Sequence, residues 1–325
     1  MAEHKAPTGR VAVQHTVCGP VTFDGKGVHS NLPVSMTICP ADANTGIVFV
    51  RTAPDGSEVE IPAIHSSVGA TELCTIIGDP RGIFVATIEH LMAALRALGI
   101  DNARIEIDGA EVPVLDGSSH DFVASLLKTG LMAQAARRRF IRVERPVRVD
   151  MGASFGEFTP HDGCFFDVEI DFDDPTIGRQ RYSLELTPDS FAKEIARART
   201  FGFMRDVEKL WEAGYALGSS FDNSVVISDD GVVNPEGLRF GDEFVRHKLL
   251  DAVGDLALSG LPILGAYRSY RGGHKLNAMV LKALISDKTA WSYVEANGAL
   301  GASGASVGRA DHLGNQAVAL APSVS

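Results

Sequence analysis

Apolar and polar positions along the chain switch between two periods. Val245, Leu249, Ala252, Val253 and Leu256 recur at helical spacing and make one apolar stripe, which predicts an amphipathic helix over about residues 240–256. A second helical run covers 87–98, with Thr87 as N-cap and Gly99 as its stop. Further helical stretches fall at 118–127, 190–199, 207–213 and 274–284. Alternation with period two predicts strands at 11–17, 32–39, 46–51 and 103–108, then at 140–149, 155–159, 165–172, 182–186, 225–228 and 263–270. Asp79-Pro-Arg-Gly82 separates two short apolar runs as a hairpin turn would.

The order of these elements contains an echo. Strands, a helix around His90, Gly99, a strand and a helix from Ser118 are followed by strands, a helix around His247, Gly260, a strand and a helix from His274. Two copies of one sheet-plus-two-helices unit explain it, giving an α+β fold of two similar domains. The basic, apolar-poor stretch 135–140 is the natural joint, so the domains are expected at 10–136 and 137–294. Residues 295–325 form a Gly/Ala/Ser-rich tail that reads as linker.

The length of 325 residues suits two cores. A net charge of −11 speaks against a general nucleic-acid binder but leaves room for a local basic cluster. Cys18, Cys39, Cys74 and Cys164 are scattered, which fits a reducing cytoplasm better than a disulfide framework. No apolar run of membrane-spanning length and no secretory h-region is visible, so no stable membrane insertion is expected.

The candidate chemistry sits on the helix over about 240–256. His247, Asp251 and Asp255 recur every four residues and stack on one face. A histidine and a carboxylate one turn apart can hold one cation, and they suit zinc if a third ligand arrives from elsewhere. The same pattern also fits a solvated face with an ion pair. His90 supplies the missing ligand if the two units meet helix to helix, leaving a fourth position for water. Glu89 beside it would then be placed to act as general base. His274 follows Gly272-Gly273 and could protonate a leaving amine, with Asp255 keeping its imidazolium charged. Thr200, in Thr200-Phe-Gly-Phe203, could donate to an oxyanion, and Phe201 is a candidate substrate contact. Arg246, Lys248, Arg271 and Lys275 make a basic cluster that suggests an anionic substrate.

Five segments taken together resemble the UDP-3-O-acyl-N-acetylglucosamine deacetylase family: Thr87-Ile-Glu-His-Leu, Pro113-Val-Leu-Asp-Gly-Ser118, Ala198-Arg-Thr-Phe-Gly-Phe203, Phe244-Val-Arg-His-Lys-Leu-Leu-Asp251 and Gly273-His-Lys-Leu-Asn277. The resemblance implies two domains, each a mainly antiparallel sheet layered with two helices, the helices packed at the interface. It implies Zn2+ on His90, His247 and Asp251, with Glu89 as base, His274 as acid, Asp255 as its partner and Thr200 as oxyanion donor. It places Lys248 and Arg271 near the UDP-sugar, Phe172 near the uridine and Cys74 near the metal. An insert over about 205–226 would wall an acyl tunnel, with Val207, Ala216 and Val226 as candidate lining. Around Ser154 the chain lacks a basic residue that some relatives carry near the nucleotide. The expected activity is release of acetate from a UDP-3-O-(3-hydroxyacyl)-N-acetylglucosamine, the committed step of lipid A synthesis, by a cytoplasmic monomer. A zinc hydrolase of another amidated substrate and a zinc-stabilised binding module are the alternatives.

Overall fold

The computed structural model describes residues 12–296, so the tail expected from residue 295 lies almost wholly outside the described residues. The first half is built on a five-stranded sheet in the order Val21–Lys26, Pro33–Pro40, Ala103–Ile107, Ile47–Thr52, Glu58–Pro62. Its pairings are antiparallel except that between Ala103–Ile107 and Ile47–Thr52. Two helices accompany it, α1 (Glu89–Leu98) and α2 (His120–Thr129). Strands Val68–Ala70, Ile76–Gly78 and Phe84–Val85 make a small meander, the last two closed by the Asp79-Pro-Arg-Gly82 turn as the sequence predicts.

In the second half a seven-stranded sheet is organised on Ile263–Tyr270. That strand runs antiparallel to Ser154–Thr159 and parallel to Cys164–Asp171 and Arg139–Val143. The helices here are α3 (Pro188–Ser190), which continues into a π-helical turn, α4 (Val207–Glu212), α5 (Glu243–Ala257) and α6 (His274–Ser286). The molecule therefore has the expected class: mixed, mainly antiparallel, two sheet-and-helix-pair units with α1 packed on α5 between them. No helix among the described residues is long and apolar enough to cross a membrane.

Three local expectations change. The strand expected over 140–149 is two, Arg139–Val143 and Val147–Met151, because Pro146 has no N–H to give the ladder. The basic stretch expected as a joint is largely strand, since Leu131–Arg137 pairs back onto Val13–Val17. Thr87 does not cap α1; Ile88 occupies the N-cap, and Thr87 sits at φ 56°. That is a rare conformation for a β-branched residue, costing about 1–3 kcal/mol unless its surroundings impose it.

Helix α5 explains how the halves meet. Its apolar stripe is buried as predicted, but so is its polar face, and only Arg246 and Lys248 of its fifteen residues are not buried. At Gly254 a Cβ would lie 2.0 Å from the Glu89 carbonyl oxygen. Only glycine lets the first turn of α1 approach α5 that closely. This crossing carries Glu89 and His90 to the face that bears His247, Asp251 and Asp255.

Candidate metal centre and active site

His90, His247 and Asp251 come together from opposite sides of the α1–α5 contact. Their donor atoms lie within 4.8 Å of one another, and all three residues are buried. Asp251 Oδ1 is 3.6 Å from His90 Nε2 and 3.4 Å from His247 Nε2. It is also a buried oxygen with no hydrogen-bond partner. A buried carboxylate oxygen left bare is costly, about 1–3 kcal/mol or more, unless a cation completes it. His247 Nδ1 donates to the Ala198 carbonyl at 3.0 Å, which turns Nε2 toward the cluster. Burial lowers the His247 pKa to about 3, so the ring is neutral as a ligand must be. Burial opposes ionisation of Asp251, but its charged neighbours, Lys248 bonded to it among them, hold its carboxyl well below the usual range. The donors present fit a divalent ion that accepts nitrogen and oxygen, zinc among them.

Two further groups converge on this cluster. Glu89 Oε2 accepts from the Thr75 N–H at 3.1 Å, and Oε1 lies 3.8 Å from His274 Nε2. Burial raises the Glu89 pKa against the pull of His274 and His90. His274 Nδ1 donates to Asp255 Oδ2 at 2.9 Å. Burial alone would lower the His274 pKa, yet Asp255 and then Glu89 outweigh it and lift it to about 10. Asp255 is itself fixed by the Thr75 hydroxyl at 2.6 Å and the Asn277 amide at 2.8 Å.

A cavity of about 640 Å³ opens over these residues. Its walls include Glu89, His90, Thr200, His247, Asp251 and His274, together with Phe201 and Lys248. Val207, Ala216 and Val226 from the insert line the same cavity, beside Trp211 and Phe221. Lys248 Nζ donates to Asp251 Oδ2 at 3.0 Å and lies 5.5 Å from the Phe201 ring centroid.

Other candidates lie outside the cavity wall. Asp255 is behind His274. Phe172 packs its ring 5.9 Å from that of Phe201. Arg271 is exposed and paired with Asp171 at 3.1 Å. Cys74 is buried, and burial followed by Glu89 pushes its thiol up to about 12, so it is protonated and no thiolate ligand. Arg246 of the basic cluster is turned away, bonded to Asp242, to Tyr182 and to the Glu194 carbonyl.

Several supports were not read from the sequence. Glu111 accepts the His29 and Ser30 N–H groups and the Ser30 and Thr87 hydroxyls, all within 3.0 Å. It thereby holds Thr87 in its left-handed conformation and fixes the 26–30 loop, on which Leu217 and Gly218 of the insert hang by backbone bonds to His29 and Val28. Arg199, fully buried, joins Glu243 at 2.9 Å and so ties the segment bearing Ala198 and Thr200 to the start of α5. A glutamate between two turn-rich segments carries no periodic signal. The arginine was visible only as part of the Ala198–Phe203 motif.

Two imidazoles and a carboxylate able to hold an ion, with a carboxyl and an imidazolium 3.8 Å apart beside them, are the arrangement of the metal-dependent hydrolases. That class is narrowed by comparison with known proteins. The chain belongs to the UDP-3-O-acyl N-acetylglycosamine deacetylase family, whose model matches residues 14–286. Proteins of Brucella ovis and Brucella canis named UDP-3-O-acyl-N-acetylglucosamine deacetylase are 54% identical to it over 286 residues, covering 88% of this chain and 99% of theirs.

Proposed function

We propose that this chain hydrolyses the N-acetyl group of UDP-3-O-(3-hydroxyacyl)-N-acetylglucosamine, with zinc as its resident ion, in the cytoplasm and as a monomer, on the path to lipid A. The observation that carries the reading is the convergence of Glu89 and His274 on the His90–His247–Asp251 cluster in a cavity that continues into apolar insert residues. Zinc, when bound there, supplies Lewis-acid polarisation of an amide carbonyl and acidifies water. Glu89, desolvated and facing the cluster, takes the proton of the attacking water. The Thr200 hydroxyl donates to the oxygen that gains charge as the carbonyl carbon becomes tetrahedral. His274, held protonated by Asp255, gives its proton to the nitrogen as the C–N bond breaks, leaving acetate and a free amine.

Val207, Ala216 and Val226 wall the acyl chain. Phe172 and Arg271, side by side with Phe201 and Asp171, take the uridine diphosphate end together with Lys248. Cys74 packs behind Glu89 rather than ligating. In this reading residues 10–136 form one domain and 137–294 the other, with 205–226 as the acyl insert.

The test is acetate release from UDP-N-acetylglucosamine with and without a 3-O-acyl chain, alongside elemental analysis. The acylated sugar should be strongly preferred, and Glu89→Ala should cut turnover by about 10²–10⁴-fold with zinc retained. Equal rates on both sugars would remove the acyl chain from the specificity. Undiminished turnover by the variant would remove Glu89 from the chemistry.

A further inference from the structure

The Asp255–His274 pair has a second side. Behind it lies a groove of about 530 Å³ that shares no lining residue with the substrate cavity. The two are parted within single steps of the chain: His274 faces the substrate cavity, and Lys275 the groove. Thr75 and Asp255 form part of its lining, already joined by their 2.6 Å hydrogen bond. Its walls are apolar, with Val68, Leu258, Ala278 and Leu281. Along α6, Lys275, Met279, Lys282 and Ser286 line it at intervals of four, three and four, one stripe of one helix face. His65 stands opposite them on the short turn His65–Ser67.

Among the described residues, neither Lys275, Lys282 nor His65 has a carboxylate partner. Burial and then Lys288 and Lys282 lower the His65 pKa, so His65 faces the groove as a neutral donor and the positive charge there is that of the lysines. In a chain of net charge −11 this is a local excess of positive charge over an apolar trough. Lysines gather round a phosphate as point charges, and an apolar wall below them takes a short hydrocarbon body.

We propose that this groove is a second ligand site, separate from the substrate cavity, for a phosphate monoester carrying a short apolar group. The phosphate lies among Lys275, Lys282 and His65, and the apolar group lies along Val68, Ala278 and Leu281. The site goes beyond the deacetylase reading, and its test reads binding rather than turnover, so the two fail separately.

The experiment is calorimetric titration of the zinc-loaded, full-length protein with octyl phosphate. Because that probe also resembles an acyl-bearing phosphate substrate, variants at both places are needed. Lys282→Glu, an exposed change that leaves the fold intact, should weaken binding by roughly tenfold or more, and His65→Ala by a smaller factor. Val226→Trp, which fills the substrate cavity, should leave affinity unchanged. Affinity insensitive to both Lys282→Glu and His65→Ala, or no binding at about 5 mM probe, overturns the proposal. So does loss of binding in Val226→Trp with the groove variants intact.

Discussion

A close approach of the two halves, α1 against α5, is the place to perturb. In Gly254→Ala the new Cβ would lie 2.0 Å from the Glu89 carbonyl oxygen, 2.7 Å from its carbonyl carbon and 2.9 Å from its Cα, where ordinary contact begins at 3.4 Å. All three are backbone atoms, so no rotamer change relieves the overlap. The first turn of α1 must move off α5 by more than an ångström. Two effects oppose each other. Alanine is better than glycine inside a helix by about 1 kcal/mol. Overpacking a closed contact costs about 1–3 kcal/mol, and this overlap lies at the severe end. Overpacking wins, and urea melts should show a net loss of about 1–2 kcal/mol. The catalytic effect should be larger than the thermodynamic one. The displaced turn carries Glu89 and His90, and a misplacement near 1 Å costs on the order of 10²-fold in rate. Gly19→Ala is the control, since nothing lies within 4 Å of its added Cβ.

The assay is acetate release with zinc content measured on the same preparation, beside the melts. Wild-type stability and turnover in Gly254→Ala would refute the helix crossing itself. A destabilised variant with undiminished turnover would leave the crossing but refute the claim that its spacing sets the site.

Three other outcomes follow from the site. His247→Ala should lower zinc content at equal protein, while Asp255→Asn should keep zinc; equal loss in both would undo the assignment of ligands. Because Asp255 and Glu89 outweigh burial and raise His274 to about 10 from 6.5, its proton stabilises the fold below pH 6.5, and that contribution fades as pH climbs to about 10. The alkaline limb of kcat should therefore fall near pH 10 in the wild type and move to lower pH in Asp255→Asn; an unmoved limb assigns it to another group. Glu111→Gln offers an NH₂ where two donors arrive, leaving groups unpaired at about 1–3 kcal/mol, so the 26–30 loop and the insert wall should loosen and KM for the acylated sugar rise more than kcat falls. An unchanged KM would confine Glu111 to a structural role.

How far the sequence alone led can be judged residue by residue. Helix α5, the hairpin at Asp79–Gly82 and the left-handed stop at Gly99 are written in short-range chemistry and were legible. The period of α5 also aligned His247, Asp251 and Asp255. Periodicity could not tell that this face is buried, because a ligand face and a solvated face share one pattern; the partner helix decides, and the permission for that partner is the single Gly254. Thr87 shows the limit from the other side. Local preference makes it a capping residue, yet Glu111, distant in sequence, overrides that preference and holds it at φ 56°. The 26–30 loop, the turn before α1 and the insert all depend on that one carboxylate.

The centre is assembled from both halves. His90 approaches on α1, His247 and Asp251 on α5, and His274 on α6, so no single half holds both the ligand set and its acid. Burying Glu89, Asp251 and Asp255 together costs stability that an apolar interface would not lose. The fold tolerates it because Lys248, Thr75, Asn277 and His274 neutralise or bond each carboxylate, except at Asp251 Oδ1. Among the described residues it is the only fully buried side-chain oxygen without a hydrogen-bond partner, it faces both imidazoles, and that exception is the strongest structural reason to place an ion there.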